Sequence, residues 1–142
     1  MVVLLIIAIL IAVAIPTFLG ARQKAQDRAA ESNLRNALTV AKTASVDSQN
    51  YASDVAGKVY ASLEPSLTFK IGTSTGQAVI SMAATESDTV YLAARSASGE
   101  CFFIRDDTGA IGDSTAGTSY GKQPSSRGCD ADGTLPTFGP SW

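Results

Sequence analysis

The first 21 residues, MVVLLIIAILIAVAIPTFLGA, carry no ionisable side chain, and the first 15 are apolar without a break. As an α-helix rising ~1.5 Å per residue, such a segment spans about 32 Å, close to the ~30 Å hydrocarbon thickness of a bilayer. Helices buried in globular cores are rarely apolar on every face over that distance. Three readings follow: a cleaved signal peptide, a single-pass anchor, or a stem held first by lipid and later by copies of itself. Nothing basic precedes the run, which argues against the signal peptide. Pro16 favours the third reading. A proline inside a helix removes one backbone hydrogen bond and crowds the preceding turn, at a cost of roughly 3 kcal/mol. With Gly20 four residues later, the stretch from Ile15 to Gly20 is expected to kink or melt easily, which a passive anchor does not need.

The chain does not stop being helical where charge begins. From Ala21 to about Val46 it is rich in Ala, Leu, Arg, Gln, Lys and Glu, all strong helix formers. Ala30, Leu34, Ala37, Leu38, Ala41 and Ala44 recur at helical spacing and form one narrow stripe. The other faces hold Arg22, Asp27, Arg28, Glu31, Arg35, Asn36 and Lys42, with Glu31 four residues ahead of Arg35 in the favourable order for a charge pair. Apolar run and charged stretch therefore read as one helix of about 45 residues, roughly 68 Å long. The rest of a 142-residue chain cannot bury such a rod. The expected organisation is an apolar transmembrane or core-forming segment at 1–21, an amphipathic segment at 22–46 packing on a head, and the globular head itself at 47–142.

The head reads as α+β with a small antiparallel sheet. Residues 47–67, marked by Asp47, Asn50, Gly57 and Pro65, suggest a loop with a short helical turn. Residues 77–83, 88–95 and 100–106 alternate as strands. Val90 and Leu92 fall on one face with Tyr91 opposite, and Phe102 and Ile104 on one face with Cys101 and Phe103 opposite. Ser96, Ala97, Ser98 and Gly99 make a turn between the last two strands, and connections this short favour hairpins over parallel crossovers. Residues 107–142, rich in Gly, Pro, Ser and Thr, read as loops with one extra short strand near Thr118–Tyr120. Cys101 and Cys129 are the only cysteines. An even pair beside a membrane-type segment suggests an oxidising compartment and a disulfide, two buried free thiols being the alternative. Closure would stabilise the fold by roughly 3–4 kcal/mol and staple the tail to a strand.

Charge and residue types narrow the function classes. Residues 22–50 hold five basic and three acidic side chains, and the remainder six basic and ten acidic. An acidic head argues against a nucleic-acid surface, which concentrates Lys and Arg. There is no histidine, so no nucleophile–histidine pair can form and the residue best suited to proton transfer near neutral pH is missing. Gly72–Gly76 lacks the lysine of a phosphate-binding loop and reads as a turn. Asp106 and Asp107 with Asp113, and Asp130 with Asp132, are carboxylates at short spacing that could attract calcium, though neither set follows the full loop pattern and solvated turns explain them as well. The Ser and Thr residues of 108–141 suit O-linked glycans, and the aromatics read as core. An enzyme is not expected, nor a cofactor or a metal.

The N-terminal 42 residues resemble type IV pilins and pseudopilins: an apolar run, a proline at Pro16, then an alanine-rich charged helix. Asn50-Tyr51, Leu63-Glu64-Pro65 and the spacing of Cys101 from a near-terminal Cys129 are similar to a pilin head. The resemblance implies a long helix on a small antiparallel sheet with a disulfide-stapled C-terminal loop region. It implies polymerisation into a fibre for adhesion, motility or surface attachment, from the plasma or inner membrane outward, with identical subunits and an assembly machinery as partners. Leu4, Leu5, Ile7, Ile11, Ile15 and Phe18 would pack the fibre core, and Pro16 to Gly20 would melt there. A secretion pseudopilin and a DNA-uptake pilin are the alternatives, the latter with Arg95, Arg105, Lys122 and Arg127 as its candidate basic residues. The family also has a basic leader, a cleavage site, an N-methylated first residue and a glutamate that would sit two residues before Met1. None is in this sequence, which is expected to start a few residues into the mature protein. Ala8 stands where many members have glycine, so melting is expected near Pro16 alone.

Overall fold

The computed structural model describes residues 1–46, 50–54, 57–84, 86–109 and 116–142. Asp47 and Asp113 lie outside them. One helix, α1 (Val2–Ser45), runs for 44 residues without interruption through Pro16 and Gly20. Its first half stands free of the rest of the chain. Its second half lies on the head, where Ala30, Leu34, Ala37, Val40 and Ala41 are buried, with Leu38 and Ala44 partly so. The alanine-rich stripe does here what small side chains do, letting the helix backbone come close to a sheet. Val40 belongs to that face as well. The anticipated pairing of Glu31 with Arg35 does not occur; the Arg35 guanidinium lies instead over the ring of Trp142, 4.8 Å from its centre.

After α1 come a 3-10 turn at Tyr51–Asp54 and a short helix, α2 (Lys58–Leu63). Gly57 precedes α2 in the left-handed region at φ 64. A Cβ there would meet the Cβ of Phe69 at 2.7 Å, so glycine is required for both conformation and space. Tyr51 and Tyr60 carry this region into the core.

Five strands follow in spatial order: β1 (Thr68–Lys70), β2 (Val79–Ala84), β3 (Thr89–Arg95), β4 (Glu100–Asp107) and β5 (Gly117–Pro124). The sheet is mixed. β2 to β5 pair antiparallel, while β1 runs parallel to β2 with Phe69 beside Ile80. The three strands read from the sequence pair antiparallel as expected, and β1, which that reading does not include, adds a parallel edge. A three-residue strand spans only about 10 Å, so residues 71–78 suffice to bring the chain back to its start. β5 is also longer than the sequence suggests, pairing with β4 from Gly117 to Pro124.

Alternation along the strands sorts side chains into two cores. Ile80, Met82, Val90, Leu92, Ala94, Phe102 and Ile104 face α1. On the opposite face Ala93, Cys101 and Phe103 meet Cys129 and Ala131, flanked by Tyr91, Leu135 and Phe138. This second core comes from the C-terminal tail, which folds across the sheet. Gly139 then pairs with Tyr120 in both directions at 2.8 Å, on the outer edge of β5. Finally Trp142 reaches the helix side, where its indole N–H donates to the Phe103 carbonyl at 3.0 Å and its ring meets Phe102 and Tyr120 edge-on.

Candidate functional site

The feature without an intramolecular explanation is the free half of α1. Leu4, Leu5, Ile7, Ile11, Ile15 and Phe18 are all exposed, Leu4 at 67% and Phe18 at 71%. Burying a side chain of this size is worth roughly 1.5–3 kcal/mol, so withdrawing all of them from water would contribute on the order of 10 kcal/mol. At 100° per residue Leu4, Ile7, Ile11, Ile15 and Phe18 form one stripe, with Leu5 beside it. Among the described residues α1 is the one helix long and apolar enough, by length and composition, to cross a membrane, and none of its apolar window is buried.

The stem's side-chain hydroxyl is satisfied within the helix. Its only hydroxyl before Gly20, that of Thr17, donates back to the carbonyls of Ala14 at 2.9 Å and Val13 at 3.3 Å, so it needs no water. Pro16 has no N–H to return to Ala12. The stretch is nonetheless helical, within a continuous α1.

The other end of α1 is locked into the head by a polar cluster. Asp106 of β4, 2% exposed, pairs with the Lys42 ammonium at 2.9 Å and accepts hydrogen bonds from the Tyr51 hydroxyl at 2.7 Å and the Thr118 hydroxyl at 2.5 Å. Burial works to raise its carboxyl pKa, but the hydrogen bonds from Thr118, Lys42 and Tyr51 together with the Lys42 charge prevail and hold it below the usual range. Burial and the neighbouring carboxylate both push the Tyr51 phenol well above its ordinary value. One cluster thus ties together the helix, the 3-10 turn, β4 and β5. Asp106 is therefore not an open calcium ligand, and Asp107 is paired with Arg105. Asp130 instead accepts from Ser81 and from the backbone of Asp132, forming a turn.

Cys101 and Cys129 form the disulfide, with Cα atoms 5.4 Å apart. It fastens the tail to β4 at the centre of the second core. Of the four outer basic residues, Arg95 ends β3 beside the 96–99 turn. Arg127 follows β5 near the same turn, because the Ser125 N–H donates to the Gly99 carbonyl. Lys122 pairs opposite Phe102, and Arg105 lies toward the far end of β4 and is held by Asp107. Arg95, Lys122 and Arg127 thus belong to one end of the sheet and Arg105 to the other.

Sequence reasoning missed the positions that close the head. Leu135, Phe138 and Trp142 were the available signal, as the large apolar residues in an otherwise polar tail. Comparison with models of known families, with curated proteins and with solved structures finds no match to this chain. The functional reading therefore stands on the stem and the head.

Proposed function

We propose that the chain is a structural subunit of a type IV pilus-like fibre, held in the plasma or inner membrane by its stem before assembly and packed through that stem against identical subunits afterwards. The observation that carries this reading is the division of one 44-residue helix into a half seated on a folded head and a half with every large apolar side chain exposed. An anchor alone accounts for the apolar length. It does not account for the rigid continuation of the same helix into the head, where Lys42 and the alanine stripe fix its direction. A fibre uses both properties, since a stem fixed to the head transmits its packing to the surface. Pro16 and Gly20 supply a place where the helix can lose hydrogen bonds at low cost when neighbours repack around it.

No catalytic role is proposed. The fibre would display the head, with adhesion, motility or attachment as its uses. Electron microscopy of purified surface fibres, with mass spectrometry of their subunit, tests the reading. Fibres made of this chain are the expected result, and finding it only as membrane-bound monomer would overturn it.

A further inference from the structure

The junction between stem and head sets an apolar helix face beside a polar cavity. A groove of about 400 Å³ runs along α1 between Ile11, Ala14, Ile15, Phe18 and Leu19 and ends on Arg22. A second, polar cavity shares Leu19 and Arg22 and continues between Gln23, Gln26, Ala97 and Ser98, where the 96–99 turn leans on the helix. Apolar groove and polar cavity are thus adjacent, with the Arg22 side chain lining both. Arg22 is the first charged side chain after the apolar stem, the kind of position at which hydrocarbon gives way to headgroups. It is exposed and, among the described residues, takes part in no ion pair. The nearest acidic side chain, Asp27, is held by the Ser98 hydroxyl. Beyond Ala97 a further polar cavity brings in Arg95, with Glu100 on the far side of the turn.

We propose that this junction binds a phospholipid with an anionic headgroup. One acyl chain lies along Ile11–Phe18, and the phosphate accepts hydrogen bonds from the Arg22 guanidinium. The headgroup occupies the cavity formed by Gln23, Gln26 and Ser98. A guanidinium suits a phosphate because its planar fork donates two parallel bonds, and the amide and hydroxyl groups suit a hydroxylated headgroup. The inference rests on the reading that the stem sits in a bilayer before assembly.

The test is to reconstitute the full chain in phosphatidylcholine vesicles carrying trace spin-labelled phosphatidylglycerol or spin-labelled phosphatidylcholine. Flotation scores insertion, and the immobilised fraction of each label scores lipid preference. The expected result is flotation with a roughly fivefold preference for phosphatidylglycerol, the size of one basic contact at a membrane surface, lost in Arg22→Gln while flotation and Trp142 fluorescence stay unchanged. Flotation with equal immobilisation of both labels, or a preference that survives Arg22→Gln, would overturn the lipid site and leave the membrane reading intact. A chain that does not float would overturn both.

Discussion

Asp106 concentrates more of the head's polar stability than any other described side chain, because three donors from three elements converge on it. Replacing it by Asn leaves the Lys42 charge uncompensated and disturbs the buried Tyr51 hydroxyl and the partly buried Thr118 hydroxyl. The expected loss is about 2–3 kcal/mol, measured by urea unfolding with Trp142, the sole tryptophan, as the fluorescent reporter. Its pH dependence has a definite sign. The folded Asp106 carboxyl titrates below its unfolded value of ~3.9, so its contribution is present above that value and is lost as pH falls through the folded pKa. Tyr51 behaves oppositely. Its raised phenol pKa gives a contribution fully present below ~10 and lost as pH rises beyond that. Asp106→Asn should flatten the acid limb of the stability curve, and an acid limb identical to wild type would contradict the assignment.

At the scale of elements, the tail behaves as part of the sheet although its composition suggests otherwise. Reducing the disulfide, or replacing Cys129 by Ser, should lower stability by about 3–4 kcal/mol. It should also release amide protection in β5 first, because Gly139 and the residues around Cys129 hold that strand from outside. Hydrogen exchange with and without reductant measures this, and unchanged protection in β5 would show that the tail is not what holds it. The same elements mark the limit of what could be read from the sequence. β2, β3 and β4 were legible because Val90, Leu92, Phe102 and Ile104 alternate cleanly with Tyr91, Cys101 and Phe103, and period-two patterning reports a sheet with two environments. β1 was not, since three residues with one buried side chain, Phe69, carry no period. β5 was under-read because Gly117, Gly121 and Pro124 weaken any strand signal locally. Its pairing is imposed by β4 on one side and the tail on the other. The polar cluster was invisible for a related reason. Lys42 reads as a solvated helix residue and Asp106 as a loop carboxylate until the fold puts them 2.9 Å apart.

For the whole molecule, length decides. A helix of 44 residues extends about 66 Å, and the head covers only its second half. The stem's need for an environment was plain from the sequence, since an uncharged run of that length has few homes. Its direction relative to the head was not, because that depends on the alanine stripe and on Lys42 reaching Asp106. The account holds that the stem's apolar stripe is an intermolecular surface that contributes nothing to folding the head. Aspartate at Leu4 or Ile7 isolates that claim, because either change puts a charge within the stripe and touches no head residue. The deciding measurement is fibre yield from cells carrying Leu4→Asp or Ile7→Asp, scored beside the urea midpoint of the purified protein by Trp142 fluorescence. The account predicts no fibres and a wild-type midpoint; wild-type fibre yield would contradict it.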